Sequence, residues 1–263
     1  IDDKFFIMRW YFRSYNFTLT VIWTPFLIKS LENKVEGAPV EKLHLDVVDE
    51  KWASNISDYD YLVLSAGHWF YRASLYFQNN EVIGCHYLQG TNVTELGLYF
   101  GLRTALRTVF DFLTSSNYHG LLMFRTFTPS HFENGLWHEG GTCTRTRPFW
   151  NATLDEIATN VYRIQLEEFA KTLNLGDENG VAHSRFKIVD TIHASILRPD
   201  GHPGPYKKAN SSPRDLPQDC LHWCLPGLPD TWVNILYSRI LEYLNFSSAS
   251  QRVVHRNIDC FSS

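Results

Sequence analysis

The sequence predicts an α/β fold, a mostly parallel sheet covered by helices. Two observations carry this. Tyr61 to Ser65 (YLVLS) is a short continuous apolar run and reads as a strand buried on both faces, Leu121 to Phe124 reads as the next buried strand, and Phe186 to Val189 reads as a further strand. Segments of helical period lie between and after them. In such sheets, functional sites lie outside the carboxyl ends of the strands. Three segments fall there: 66–72, 125–143 and 218–227.

In chain order, Phe17 to Trp23 (FTLTVIW) alternates and reads as a strand. Residues 29–42 are polar, carry Gly37 and Pro39, and read as a loop. Thr94 to Ser115 is the clearest helix, with Tyr99, Leu102, Leu106, Val109 and Leu113 on one face. The stretch 127–150 has no periodicity and reads as a long loop. Thr153-Leu-Asp-Glu156 is a capping box that opens a helix through Leu173, with Leu154, Ile157, Val161 and Ile164 inward. Residues 198–218 are rich in Pro, Gly, Ser and charge and read as an exposed loop. Asp230 opens a last helix, with Trp232, Leu236, Ile240 and Leu244 at helical spacing.

The 263 residues suffice for one large α/β domain or two small ones. A net charge of −4 excludes the electrostatic signature of nucleic-acid binding. No apolar run approaches the ~18 residues of a membrane span, and the chain opens on Ile1, so any anchor or leader is expected upstream. Aromatics reach 15%, which fits a large core or a sugar-stacking groove. Asn-X-Ser/Thr occurs at Asn16, Asn55, Asn92, Asn151, Asn210 and Asn245, where chance gives roughly two. Such enrichment points to a glycosylated lumenal or extracellular protein. Asn210 is the weakest, since Pro213 follows its Ser212. Five cysteines, an odd number, leave one unpaired or paired outside these residues in an oxidising compartment.

Asp219-Cys-Leu-His222-Trp-Cys-Leu-Pro-Gly227 is the most specific segment. A carboxylate three residues before a histidine reaches its Nδ1–H within one turn, fixes its tautomer and stabilises the imidazolium. The histidine then serves as base toward a hydroxyl. The bland alternative is an Asp capping a turn beside an incidental His. Cys220, His222 and Cys224 have poor spacing for zinc, and no metal is expected. Arg125-Thr-Phe-Thr-Pro-Ser-His131-Phe-Glu-Asn134-Gly-Leu-Trp137 follows a predicted strand and offers side chains that bond and stack on sugars.

These two segments resemble the plant trichome birefringence-like family of polysaccharide O-acetyltransferases. The likeness extends through FTLTVIWTPFL (17–27), LHLD (43–46), TELGLYFGLRTALRTV (94–109) and Gly140-Gly-Thr-Cys143. It implies a single catalytic domain over 1–263 with a GDSL/SGNH-hydrolase-like three-layer α/β sandwich, incomplete at its N-terminus. It implies a Golgi-lumenal enzyme with an N-terminal membrane anchor. Its serine, from a Gly-Asp-Ser motif, forms an acetyl-enzyme with Asp219 and His222 as partners, and acetyl passes to a wall-polysaccharide hydroxyl. The run at 17–27 looks most like the xyloglucan and mannan branch, with xyloglucan favoured and xylan possible.

The resemblance also implies roles for single residues. Gly67 lies where related hydrolases place oxyanion donors. Arg125, His131, Asn134 and Trp137 are candidate substrate-binding residues; His131, Asn134 and Trp137 are expected in the same cleft as His222, because both loops should leave the carboxyl edge of one sheet. Cys143 is expected to pair with Cys220, and Cys224 with a cysteine upstream. Leu88 stands where many relatives have Cys, so Cys85 is expected unpaired. No cofactor is expected to be bound. The acetyl donor is acetyl-CoA or a relayed acetyl group supplied by a membrane partner. The chain contains no Gly-Asp-Ser, since Gly176-Asp177 is followed by Glu178, so these residues alone are expected to be inactive. The same triad fits an acetyl esterase, and a chain without its serine fits a glycan-binding paralogue.

Overall fold

The computed structural model describes residues 7–35, 38–175, 185–208 and 218–259. Gly176, Asp177, Glu178, Asn210 and Cys260 lie outside them. The described residues gather into two compact units. One draws on 1–60, 64–120 and 163–176, the other on 61–63, 121–162 and 177–263.

In the first unit, β1 (Ile7–Phe12) pairs antiparallel with β2 (Phe17–Ile22), in register Trp10↔Leu19 and Phe12↔Phe17. Cross-strand partners share a face of the ribbon. Met8, Trp10 and Phe12 therefore share one with Phe17, Leu19 and Val21, all between 39% and 46% exposed. FTLTVIW is thus a strand over 17–22, with an exposed face.

A four-stranded sheet follows, in the order β3 (Ile28–Val35), β4 (Ala38–Val48), β6 (Ser74–Gln78), β7 (Glu81–His86). The β3/β4 and β6/β7 pairs are antiparallel, and only β4/β6 is parallel. Residues 29–42, expected to be a loop, are mostly strand. The misreading has a physical cause. β3 is an edge strand, where Lys29, Glu32 and Lys34 are tolerated because ladder hydrogen bonds, not burial, hold it. β4 supplies the buried side with Val40, Leu43 and Leu45.

α1 (Glu50–Ala53) is capped by Asp49, which accepts the Lys51 N–H at 3.0 Å. α2 (Gly97–Ser115) buries Leu102, Leu106, Val109 and Leu113, as its period requires. Leu98, Ala105 and Phe110 complete the stripe, while Tyr99 is exposed rather than inward. Residues 163–175 of α3 (Glu156–Leu175) belong to this unit and bury Glu168 among Arg103, Arg107 and Lys171.

The second unit holds the sheet β5 (Tyr61–Leu64), β8 (Leu121–Arg125), β9 (Phe186–Val189), in that order. β8 and β9 are parallel, in register Leu122↔Phe186 and Arg125↔Val189. Leu121 through Phe124 are wholly buried, each side chain contributing about 1.5–3 kcal/mol. β5 is an edge strand with Tyr61 and Val63 exposed, so the expectation of burial on both faces fails there. α4 (Ile192–Ile196) follows β9. α5 (Leu228–Asp259) packs Ile235, Leu236, Ile240 and Tyr243 against Leu121, Met123 and Val189, while Leu244 is exposed.

The N-terminus of α3 lies in this second unit. Asp155, not Thr153, caps it, accepting the Ala158 N–H at 2.7 Å. The helix therefore starts one residue past Asp155, and Ala158 and Val161 turn inward while Ile157 is exposed. Pro199, His202 and Gly204 are buried, so the described start of the 198–218 loop is not solvent-facing throughout.

Candidate active site

The carboxyl ends of β8 and β9 are tied by two threonines. Thr191 N–H donates to Thr126 Oγ1 at 2.9 Å, and Thr191 Oγ1 donates to the Thr126 carbonyl at 3.1 Å. Both threonines are fully buried, which fixes where the following loops leave the sheet. The loop after β8 then meets 199–204 and 218–224. His131 N–H donates to the Cys220 carbonyl at 3.0 Å. Gly204 and Asp219 exchange backbone bonds of 2.9 and 3.1 Å, and Cys224 N–H donates to the Gly201 carbonyl at 2.9 Å. Gly204 has φ of +52°, and a Cβ there would lie 3.3 Å from the Cys143 carbonyl, so glycine is favoured and a side chain would be strained.

A disulfide joins Cys143 to Cys220 and clamps two of these loops. Cys220 is thereby unavailable to a metal, and no cluster that could hold a metal ion occurs among the described residues. Among the described residues neither Cys224, which is exposed, nor Cys85, which is buried, is disulfide-bonded.

Asp219 and His222 meet within this clamp. The Nδ1 of His222 lies 3.0 Å from both Asp219 carboxylate oxygens. Asp219 only accepts, so Nδ1 carries the proton and Nε2 presents its lone pair. Asp219 Oδ1 also accepts the backbone N–H of His222 at 3.0 Å and of Leu221 at 3.3 Å. The turn-capping and histidine-orienting readings of this Asp are both satisfied. The Asp219 side chain is 7% exposed and that of His222 69%, so the carboxylate is shielded while the ring faces solvent. Among the described residues no hydroxyl bonds to His222 Nε2. Ser195 is buried and donates to the Thr191 carbonyl at 2.6 Å, which removes it as a nucleophile for this histidine.

The other expected site residues scatter. His131 is half-buried and bonds to His202, not to solvent. It also lines an open cleft of about 270 Å³ with Ser130, Glu133, Arg145, Phe149 and Asn151. Glu133 and Arg145 pair across it, and Arg145 stacks on Phe149 at 4.1 Å. Asn134 and Trp137 do not line that cleft. Glu133 and Thr142 exchange backbone bonds of 2.7 and 2.8 Å, which throws 134–141 outward, and Trp137 is 63% exposed. Arg125 lies over the Trp232 ring at 5.2 Å, with its Nη1 buried and unbonded; burial lowers its pKa. Gly67 belongs to the first unit, where it precedes a 3₁₀ turn over His68–Tyr71 in extended backbone.

Sequence reasoning missed His202 and the role of Trp223. The His202 ring lies 4.0 Å from that of Trp223, and Trp223 Nε1 donates to Thr128 Oγ1 at 3.1 Å. A lone His in a Pro- and Gly-rich loop carries no local signal, because its partners lie 20 and 71 residues away. Asn16, Asn55, Asn92, Asn151 and Asn245 are all exposed.

A family model described as PC-Esterase, the GDSL/SGNH-like acyl-esterase family found in Pmr5 and Cas1p, matches residues 2–239. The chain is 44% identical over 254 residues to Protein trichome birefringence-like 25 of Arabidopsis thaliana, covering 92% of this chain and 55% of that protein. It is 39% identical over 246 residues to Xyloglucan O-acetyltransferase 1 of the same plant, covering 92% and 56%. With Xyloglucan O-acetyltransferase 1 of Populus trichocarpa it shares 39% over 254 residues, covering 92% and 58%. The chain thus spans a little over half the length of the curated relatives it matches.

Proposed function

This chain belongs to the PC-Esterase family of GDSL/SGNH-like acyl-esterases, and from that premise we propose that it is part of a plant polysaccharide O-acetyltransferase. One observation carries the proposal: a shielded carboxylate, Asp219, holds the Nδ1 of a solvent-facing histidine, His222, whose Nε2 is open. That is two-thirds of a nucleophilic triad. The relatives named for xyloglucan acetylation favour xyloglucan as acceptor.

In the proposed reaction a serine Oγ attacks the acetyl carbonyl of the donor while His222 Nε2 takes its proton. The tetrahedral oxyanion collapses, the leaving group takes the proton from His222, and an acetyl-serine remains. A sugar hydroxyl then attacks that ester. His222 removes the hydroxyl proton and returns it to the serine. Asp219 stays ionised throughout and stabilises each imidazolium. None of the 263 residues forms a Gly-Asp-Ser, and no described serine reaches His222, so the serine is proposed to come from a segment outside them. These residues alone are then inactive. The exposed sequons fit action in the Golgi lumen, with acetyl drawn from acetyl-CoA or a relayed acetyl group.

The same triad hydrolyses its acetyl-enzyme if water outcompetes the sugar. Incubating the full-length protein with acetyl donor, with and without xyloglucan, separates the two. Transfer predicts acetylated xyloglucan and little free acetate when the acceptor is present. Free acetate released equally with and without acceptor would make it an esterase.

A further inference from the structure

Two histidines stand behind His222, and their hydrogen bonds do not close on neutral rings. The Nε2 of His131 lies 3.0 Å from the Ile196 carbonyl oxygen. Its Nδ1 lies 2.7 Å from His202 Nε2. The Nδ1 of His202 lies 2.7 Å from the His222 carbonyl oxygen. Both end atoms are carbonyl oxygens, which only accept. Each nitrogen facing them must carry a proton. The contact between the rings needs one more, because two lone pairs at that distance repel and two N–H groups collide. The chain of contacts therefore asks for three protons on four nitrogens, and two neutral imidazoles supply two.

We propose that His131 and His202 form a proton-sharing pair that positions His222, one added proton completing the three hydrogen bonds that anchor its backbone carbonyl. The inference rests on His222 being the base of the proposed reaction. Neither histidine touches the reacting atoms, so both are positioning residues. Trp223 holds the pair together: its ring lies over His202 and meets His131 edge-on at 5.8 Å.

The charged groups around the pair set its response to pH. Burial lowers the pKa of His131, opposed by the Ile196 carbonyl, Glu133 and Asp200 and reinforced by Arg145. Burial takes His202 down to about 4, opposed by the His222 carbonyl and Asp219 and reinforced by the charges of His131 and His222. The added proton is thus taken up below the ordinary histidine range of about 6.5. Above that range one contact must fail. If His131 and His202 both carry Nδ1–H, the His222 carbonyl stays bonded and the Ile196 carbonyl faces a lone pair. In the reverse assignment the His222 carbonyl is released. His222 is held in one arrangement when the pair is protonated and exchanges between two when it is not.

The test is nitrogen NMR of the chain with ¹⁵N-labelled histidine, titrated from pH ~8 to ~4. The expected result is one midpoint shared by His131 and His202, and a through-hydrogen-bond coupling between His131 Nδ1 and His202 Nε2 on the acid side. His202→Asn keeps an N–H for the His222 carbonyl and preserves the wild-type His222 shifts. His202→Phe, checked for folding by circular dichroism, moves them. In the full-length protein His202→Phe is expected to lower kcat with KM for the acceptor unchanged. Two separate midpoints with no coupling, or His222 shifts and kcat unmoved in His202→Phe, would overturn the proposal. Should the coupling appear while His222→Ala leaves acetyl transfer intact, the pair stands and the reading of His222 as base falls instead.

Discussion

A single carboxylate oxygen, Asp219 Oδ1, faces both the backbone N–H and the ring Nδ1 of His222, each at 3.0 Å. Capping the turn and orienting the base therefore share one carboxylate, and the two roles separate by substitution. Asp219→Asn keeps an oxygen for the backbone N–H but loses the charge and the Nδ1 tautomer. It should leave stability nearly unchanged and lower kcat by roughly 10³–10⁴. Asp219→Ala removes both and should add about 1 kcal/mol of destabilisation. Urea unfolding beside steady-state kinetics of the full-length protein checks the split.

Glu168 gives the first unit an acid-sensitive joint. Burial raises its pKa, but hydrogen bonds from Lys171, Arg103 and Arg107 outweigh that and bring it below its ordinary value of 4.5. A carboxylate with a lowered folded pKa contributes stability above its unfolded pKa and loses it as pH falls through the folded one. The contribution is full at neutral pH and is lost progressively below pH 4.5. Glu168→Ala removes the buried anion shared by Arg103, Arg107 and Lys171; because Arg103 keeps Glu167 and the other two cations are half-exposed, it should cost about 1.5–3 kcal/mol at pH 7. Urea midpoints at neutral and acid pH should converge between wild type and variant.

The Cys143–Cys220 bridge closes a loop of 77 residues. Cys143→Ser should cost about 2–5 kcal/mol in thermal or denaturant unfolding. Cys224→Ser should cost nothing measurable in this chain, because its thiol is free and exposed. Peptide mapping of this chain without reductant should recover Cys143 linked to Cys220 and Cys224 alkylated; in the longer protein Cys224 is expected to be linked to a cysteine upstream.

What could be read from the sequence was what is local in the chain. The Asp219–His222 spacing, the period of α2 and the apolar run of β8 all follow from residues within a turn or a strand of one another. Failures came where distant partners decide. Residues 29–35 of the polar stretch are strand because β4, which takes up 38–42, supplies their ladder, and Tyr61 and Val63 are exposed because β5 ends its sheet. Thr153 lost the cap of α3 to Asp155, two residues on, which a tetrapeptide motif does not discriminate. His202 acquires its place from His131, Trp223 and His222, none of them near it in sequence.

Trp137 stands clear of the clamp on an outward loop, 63% exposed. Such an indole suits stacking on a sugar ring better than packing in a core. Trp137→Ala should leave stability within about 0.5 kcal/mol of wild type. It should raise KM for xyloglucan while leaving formation of the acetyl-enzyme unchanged. Single-turnover acetylation beside steady-state transfer measures both.

The proposed step is activation by His222 of a serine held outside these residues. Its most direct measurement is mass spectrometry of the full-length protein after exposure to an acetyl donor without acceptor, beside this 263-residue chain and the His222→Ala variant. One acetyl-serine is expected in a Gly-Asp-Ser peptide of the full-length protein, none in this chain, and none in the variant. Acetylation of a serine within this chain, or labelling that survives His222→Ala, would contradict it.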